Sequence, residues 1–261
     1  MNPFYRLAFI AAPTPAAQSL ADCLKKSKDF ILTSPQQADI LIVLGGDGFM
    51  LHSLHKYQSL KKPVYGIHCG TVGFLMNAQP LETAEDLVYR LQKAKLTPLH
   101  PLKMTAHTSK QTFTRHAINE VSLLRETSQA AKIRILLNEI ERLPSLTGDG
   151  LIIATPAGST AYNLSAQGPI LPLESSLVAL TPLSPFRPRH WRGALLPNDT
   201  SIRLEILEAD RRAVSATADD YTVHHVKSVV IKQDFEMSYD LLFDLGHNLE
   251  DRILKEQFNN I

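Results

Sequence analysis

Disulfides and long apolar runs are what this sequence most clearly lacks. It has only two cysteines, Cys23 and Cys69, among its 261 residues, and neither lies in a pair with the spacing of metal ligands. No stretch approaches the roughly 18 consecutive apolar residues of a membrane-spanning helix. The apolar run of residues 7–12 is too short for a signal peptide and ends at Pro13. By elimination, we expect a cytoplasmic protein with no membrane partner.

An excess of charge of either sign is also missing. The sequence has 27 Lys and Arg residues against 26 Asp and Glu residues, a formal net charge of +1. This balance argues against a broad basic surface for nucleic acid, so any phosphate-binding site must be local. A hydrophobic share of 44% and a charged share of 20% are typical of a folded globular protein. The length allows one large domain or two ordinary ones.

The first third of the chain alternates apolar runs with helical patterns. Three buried strands are predicted, at residues 7–11, 40–44 and 64–67. Thr14-Pro15 supplies an N-cap residue and a proline at the first position of a helix, and a later helix is predicted over residues 82–94. Alternating strands and helices predict βαβ units and a parallel sheet with right-handed connections. We expect a Rossmann-like α/β domain over residues 1–98.

The pattern changes after Pro98. Short segments rich in β-branched residues follow, at residues 102–106, 112–117, 133–137, 151–155, 202–207 and 226–232. They predict an antiparallel, β-sandwich-like domain over residues 99–239. From Gly246 onward, helical spacing returns with Leu249, Ile253, Leu254 and Phe258. We expect this C-terminal helix to pack on the first domain, to which residues 240–261 would then belong.

The strongest local signal is the turn Gly45-Gly46-Asp47-Gly48, which follows a predicted buried strand and opens a helix. Glycines let a backbone approach a phosphate, and a helix N-terminus offers unpaired N–H groups to it. Open α/β sheets bind ligands at this edge. Asp47 would repel a phosphate unless it binds a metal ion or accepts a proton, and a general base beside a hydroxyl group meets that condition. The alternative is a plain turn in which Asp47 caps the helix.

Two common phosphate-binding motifs are absent from the sequence. It has no Gly-x-x-x-x-Gly-Lys-Ser/Thr loop. The dinucleotide fingerprint is Gly-x-Gly-x-x-Gly, and the glycine turn lacks the last glycine of this pattern. A P-loop enzyme and an ordinary Rossmann dehydrogenase are therefore both disfavoured. His52 and His55 have helical spacing but no evident third ligand, so we expect no metal site built from fixed protein ligands.

Two further clusters are polar. Gly148-Asp149-Gly150 precedes a strand, which leads to Thr155-Pro-Ala-Gly-Ser-Thr-Ala-Tyr162-Asn-Leu-Ser165. This segment concentrates hydroxyl groups and small residues that can surround a flat, polar ligand. A loop in which Ser159 or Thr160 caps a helix would have the same composition. Asn119-Glu120 follows another predicted strand and, taken alone, is typical of an exposed turn.

The order of these three motifs closely resembles the NAD kinase family over most of the chain, as does the segment Gly66-Ile-His-Cys-Gly70-Thr-Val-Gly73-Phe74-Leu75. The glycine turn occurs also in lipid kinases and phosphofructokinases, whereas the motif that begins at Thr155 is far more specific. The resemblance implies transfer of the γ-phosphoryl group of ATP to the 2′-hydroxyl of the adenosine ribose of NAD, which yields NADP. It also implies a site between the two domains and a homodimer or homotetramer.

The resemblance further assigns roles to single residues. Asp47 would be the general base, and Gly45, Gly46 and Gly48 would receive the phosphates of ATP. Mg²⁺ or another divalent metal ion would bridge those phosphates. Asn119 and Glu120 would contact adenosine, with Phe74 and Thr160 beside the adenine. The other residues expected to contact NAD are Gly48, Asp149, Ala161, Tyr162, Ser165 and Asp219.

Two other functions are compatible with parts of this pattern. A non-catalytic dinucleotide sensor would keep the same pocket, although the presence of Asp47 argues against it. A lipid kinase of the diacylglycerol or sphingosine type would share the glycine turn, but it would also need an acyl-chain pocket that the sequence does not indicate. The motifs do not distinguish NAD from NADH or ATP from polyphosphate.

Overall fold

The computed structural model describes residues 5–70, 73–77, 81 and 83–245. The chain forms two compact units, one of Met1–Leu99 with Ser238–Ile261 and one of His100–Met237. The predicted C-terminal helix begins at Gly246 and lies outside the described residues. Within the described part of the chain, no helix is both long enough and apolar enough to cross a membrane.

The elements follow one another in three stretches of chain. The first unit begins with β1 (Arg6–Ala11), α1 (Pro15–Leu24), β2 (Ile31–Leu32), β3 (Ile40–Gly45), α2 (Asp47–Tyr57), β4 (Val64–His68), α3 (Ala84–Lys93) and β5 (Lys95–Leu99). The second unit contains β6 (Leu102–His107), β7 (Thr112–Ala117), β8 (Glu120–Arg125), β9 (Ala131–Leu137), β10 (Ile140–Gly148), β11 (Gly150–Ala154), α4 (Tyr162–Ser165), β12 (Leu177–Leu183), β13 (Ala194–Pro197), β14 (Ile202–Ile206), β15 (Val214–Ala218), β16 (Tyr221–Val223) and β17 (Ser228–Gln233). The chain then returns to the first unit as β18 (Tyr239–Phe243).

The sheet of the first unit has the strand order β2-β1-β3-β4-β18-β5. Its neighbouring strands are parallel, except that β18 and β5 are antiparallel. β3 is buried along its whole length, as expected for a parallel strand covered on both faces. α1 starts as its sequence predicts, with Thr14 as N-cap and Pro15 as first residue, and it buries one apolar face. The predicted parallel α/β domain is confirmed.

The second unit consists of two antiparallel sheets of six strands, ordered β10-β9-β14-β17-β6-β7 and β13-β12-β11-β8-β15-β16. Alternate side chains of both sheets point into one shared apolar core, to which Met104 and Ile231 contribute from the first sheet and Val121 and Ile153 from the second. Two sheets that enclose one core form a sandwich. The predicted β-sandwich-like fold is therefore confirmed.

Candidate active site

The glycine turn lies at the carboxyl edge of the parallel sheet, where β3 ends beside the end of β4. Gly46 is the N-cap residue of α2 and provides no side-chain cap. Among the described residues, and apart from its neighbours in the chain, a Cβ atom added to Gly46 or Gly48 would meet no atom within 4 Å, whereas one on Gly45 would lie 3.0 Å from the ring of Phe49. Gly45 therefore serves packing inside the chain. Gly46 and Gly48 instead leave open space beside the helix N-terminus, where N–H groups attract anions.

The Asp47 side chain is held from outside its own helix. Its two carboxylate oxygens accept hydrogen bonds from the backbone N–H groups of Phe74, at 2.5 Å, and Leu75, at 3.0 Å. A Cβ atom on Gly73 would lie 2.0 Å from Asp47 Oδ1, so only glycine allows this approach. An ionised carboxylate is an acceptor on both oxygens, which suits these two donors. The structure thus brings Asp47 together with Phe74, whose side chain is half-buried.

In the second unit, the Asp219 carboxylate supports the chain around Asn119. It accepts hydrogen bonds from the backbone N–H groups of Ile118, Asn119 and Glu120, at 2.7, 3.0 and 3.3 Å. Asp219 follows β15 in a tight turn and has a φ of 50°, a left-handed conformation that aspartate tolerates better than most residues. The structure therefore brings Asp219 together with Asn119 and Glu120, and its carboxylate positions their backbone.

The side chains of Asn119 and Glu120 carry unsatisfied polar atoms. Within the part of the chain that the structure describes, Asn119 Oδ1 and Glu120 Oε2 are buried and have no hydrogen-bond partner. Burial, and after it the negative charge of Asp219, raises the pKa of Glu120 to about 7. Buried acceptors without partners are costly. A ligand that offers N–H or O–H groups here would satisfy them.

The segment after β11 contains a buried framework. Thr155 donates its hydroxyl hydrogen bond to the carbonyl of Ile118 at 2.7 Å, and its backbone N–H donates to the carbonyl of Asn119 at 2.9 Å. The amide of Asn163 donates to the carbonyls of Ser159 and Pro169 and accepts from the Thr181 hydroxyl. The Thr155 bonds fix the start of the segment against Ile118 and Asn119, and the Asn163 bonds hold the rest of it. Thr155 and Asn163 therefore have a structural role within the motif.

Other residues of this segment face outward. Thr160 and Ala161 are half-buried, whereas Tyr162 and Ser165 are exposed, with Tyr162 at 39%. The hydroxyl of Thr160 donates to the carbonyl of Ala157 at 3.4 Å. The motif thus alternates between residues that hold the loop and residues that a ligand could reach.

Asp149 lies apart from this group. It directly precedes β11, whereas Asn119 and Thr155 lie beside the other end of that strand, and the five residues of β11 span about 13 Å. The Asp149 carboxylate forms a 2.5 Å ion pair with Arg125. The structure therefore does not bring Asp149 together with Asn119, Glu120 and Thr160.

Glycine contacts are what sequence reasoning missed at this site. A Cβ atom on Gly158 would lie 2.1 Å from the carbonyl oxygen of Asn119, and Gly73 makes the similar approach to Asp47. Both glycines belong to the motifs, so the sequence gives their positions, but it does not indicate which distant residues they contact. Among the described residues, no group of three His, Cys, Asp or Glu side chains is arranged to hold a metal ion.

Comparisons with known proteins agree on one family. The model of the ATP-NAD kinase N-terminal domain matches residues 10–95, and that of the ATP-NAD kinase C-terminal domain matches residues 118–234. An NAD kinase of Rhizobium meliloti (strain 1021) is 50% identical over 258 residues, which cover 98% of each chain.

Two solved structures share the fold. Yeast NADH kinase in complex with NADH has a TM-score of 0.81 at 21% identity and covers 100% of this chain and 90% of its own. An NAD kinase from Archaeoglobus fulgidus in complex with ATP has a TM-score of 0.74 at 22% identity and covers 95% of this chain and 97% of its own. Because the family models match most of this chain and the curated relative matches nearly all of it, the chain belongs to the ATP-NAD kinase family.

Proposed function

We propose that this chain phosphorylates the 2′-hydroxyl of the adenosine ribose of NAD with the γ-phosphoryl group of ATP, and that Asp47 is the general base. The observation that carries the assignment is the Asp47 carboxylate, which two backbone N–H groups orient at the start of a glycine-lined helix. A base needs a fixed direction toward the proton that it removes. The hydroxyl proton would pass to Asp47 as the ribose oxygen attacks the γ-phosphorus and the bond to ADP breaks.

The phosphates of ATP would bind at the N-terminus of α2. Two features support this assignment: the space that the described residues leave beside Gly46 and Gly48, and a glycine N-cap that supplies no side-chain acceptor to the helix N–H groups. Both favour an anion. Gly45 would contribute its backbone only, because its α-carbon packs near Phe49. A divalent ion such as Mg²⁺ would arrive with ATP, held by phosphate oxygens, and would offset the charge of the transferred group.

The adenosine of NAD would bind at Asn119 and Glu120. Their buried oxygens that have no partner among the residues the structure describes are acceptors, and adenosine offers an exocyclic amine and ribose hydroxyl groups as donors. Phe74 and Thr160 would border the adenine, and Asp219 would hold the backbone of Asn119 and Glu120 in place.

The rest of the dinucleotide would contact Ala161, Tyr162 and Ser165. These residues are accessible because Ala161 is half-buried and the other two are exposed. Asp149 would contact a part of NAD other than adenosine, since it is at the opposite end of β11 from Asn119. For the assembly, we propose a homodimer or homotetramer. We place it in the cytoplasm, where its two free cysteines would stay reduced.

The decisive experiment mixes the purified chain with ATP, Mg²⁺ and NAD and measures NADP with an NADP-specific dehydrogenase. The Asp47→Asn variant should lose roughly 10²- to 10⁴-fold in kcat and still bind NAD. Asp22→Asn is a matched control, because Asp22 lies on α1 with a side chain that is 69% exposed, and it should keep normal turnover.

Three results would contradict parts of the proposal. Near-normal turnover by Asp47→Asn would remove Asp47 as the base. Binding of NAD without any NADP formation would indicate a sensor. Phosphorylation of diacylglycerol but not of NAD would indicate a lipid kinase. Running the assay with NADH, and with polyphosphate as donor, identifies the preferred substrates.

A further inference from the structure

Asn77 is a buried polar residue that none of the motifs includes. Its side chain is 1% exposed and bonds to three backbone groups. Its Nδ2 atom donates to the carbonyl oxygens of Gly66 and Leu242, each at 3.0 Å, and its Oδ1 atom accepts the N–H of Asp244 at 2.9 Å. One side-chain amide therefore joins the middle of β4 to the carboxyl end of β18.

The same residue ends the short segment that holds Asp47. Its backbone N–H donates to the carbonyl of Gly66 at 3.0 Å, and Asn77 forms an isolated parallel bridge with Ile67. Leu75 and Phe74, which supply the two N–H groups to Asp47, precede it by two and three residues. The position of these donors thus depends on where Asn77 is anchored.

Packing fixes the segment from a second side. Met76 is fully buried, and a Cβ atom on Gly66 would lie 2.7 Å from Met76 Sδ and 2.4 Å from Met50 Cε. Met76 therefore fills the space over Gly66, and the segment has little room to shift.

Asparagine suits this position because two of its three partners are carbonyl oxygens and one is an N–H group. A side-chain amide supplies two donors and an acceptor in one plane. Aspartate supplies no donor when ionised, and alanine supplies nothing. Either replacement removes the side-chain donor to the carbonyl oxygen of Leu242 and so weakens the link between the segment and β18, whereas the carbonyl of Gly66 keeps the backbone N–H of residue 77.

We propose that Asn77 is a positioning residue for Asp47: it anchors the Gly73–Asn77 segment to β4 and β18, so that the N–H groups of Phe74 and Leu75 orient the carboxylate toward the ribose hydroxyl. The inference rests on the proposed role of Asp47 as base. Asn77 acts through the backbone and contacts neither substrate.

The test compares kcat and KM for three variants, each measured well below its unfolding temperature. Asn77→Ala should lower kcat by roughly 10- to 100-fold, the range expected when a reacting group is misplaced, while KM for NAD and ATP changes less than about threefold. Tyr65→Phe is the matched control, because it removes a partly buried hydrogen bond to the same Asp244, at 2.5 Å, and leaves the Asn77 amide unchanged. The kcat of Tyr65→Phe should stay normal even if its unfolding temperature falls as far as that of Asn77→Ala.

Met76→Ala loosens the same segment through packing rather than hydrogen bonding, and it should reproduce the loss in kcat if Asn77→Ala fails to fold. Equal losses of kcat in Tyr65→Phe and the segment variants would overturn the proposal, as would normal kcat in a folded Asn77→Ala or Met76→Ala. The double variant of Asp47→Asn with Asn77→Ala should be no slower than Asp47→Asn alone. Normal activity of Asp47→Asn would instead refute the base assignment itself, so the two failures are distinguishable.

Discussion

The Asp219 carboxylate accepts the backbone N–H of Glu120 at 3.3 Å, and its negative charge adds to burial in raising the pKa of the Glu120 side chain to about 7. Two acidic residues thus lie side by side, and the carboxyl group of Glu120 is about half protonated at neutral pH. The protonation state of Glu120 is therefore coupled both to folding and to any ligand that offers it hydrogen-bond donors.

Stability without ligand should fall as the pH rises through the range set by Glu120. Its pKa is about 7 in the folded chain against 4.5 for an ordinary glutamate, so between these values the folded state binds more protons than the unfolded state. The free energy of unfolding then decreases with rising pH, by at most about 3 kcal/mol from this group. Thermal unfolding from pH 5 to 8 measures it, and Glu120→Gln should have the flatter profile. Parallel profiles of the two proteins would contradict the assignment.

Binding of NAD should release protons near pH 7. Donors from the ligand favour the ionised Glu120 carboxylate, so a fraction of a proton, up to about one half, leaves at the pH where the group is half protonated. Calorimetry in phosphate and in Tris buffers would detect this release as a difference in apparent binding enthalpy. The difference should vanish in Glu120→Gln. A wild-type enthalpy that is independent of the buffer would show that Glu120 does not change its protonation.

Removing the Asp219 carboxylate should both destabilise the second unit and weaken NAD binding. Asp219→Ala leaves three backbone N–H groups without their acceptor, which costs about 2–4 kcal/mol, and KM for NAD should rise at least about tenfold. The adjacent Asp220 is exposed, so Asp220→Ala is the control. Chemical denaturation and initial rates measure the two effects, and equal behaviour of the two variants would contradict this role.

Gly73→Ala should impair turnover more than folding. The new Cβ atom would lie 2.0 Å from Asp47 Oδ1, so the carboxylate must move away from the N–H groups that orient it. We expect kcat to fall roughly 10- to 100-fold while the far-ultraviolet circular dichroism stays that of the wild type. A folded Gly73→Ala with normal kcat would mean that the orientation of Asp47 does not limit the reaction.

Gly48→Ala should leave the stability of the chain intact and weaken the binding of ATP. In the part of the chain that the structure describes, its Cβ atom would touch nothing within 4 Å beyond its chain neighbours. Alanine favours a helix over glycine by up to about 1 kcal/mol, so the unfolding temperature should hold or rise. If phosphates occupy that space, KM for ATP should increase severalfold. An unchanged KM for ATP would remove Gly48 from the phosphate site.

Local patterns were sufficient to predict the elements that depend on neighbours in sequence. The buried run before Gly45 and the Thr14 cap predicted β3 and α1 because apolar runs and caps act within a few residues. β18 was not predicted, since it is a strand only through pairing with β4 and β5, which lie far away in the chain. Such pairing has no local signature.

The site divides in the same way. Asp47 was identified from its glycines, but its partners Phe74 and Leu75 lie 27 and 28 residues away. Asn119-Glu120 alone is typical of an exposed turn, whereas in the structure both residues are half-buried. Their backbone N–H groups bind Asp219, which lies about a hundred residues later in the chain. Hydrogen bonds between residues so far apart in the chain depend on the tertiary fold, and no local sequence pattern predicts them.

The insertion of β18 between β4 and β5 has a consequence for the order in which the molecule is made. As the chain leaves the ribosome, residues 1–99 emerge with a gap in their sheet, because β5 pairs only with β18 among the described strands. The contiguous His100–Met237 unit can close its own sandwich first. The strand that completes the first sheet, and with it the carbonyl of Leu242 that binds Asn77, arrives last. A nascent or truncated chain that ends before residue 239 would therefore contain every residue of the proposed site and still lack the anchor beneath its base.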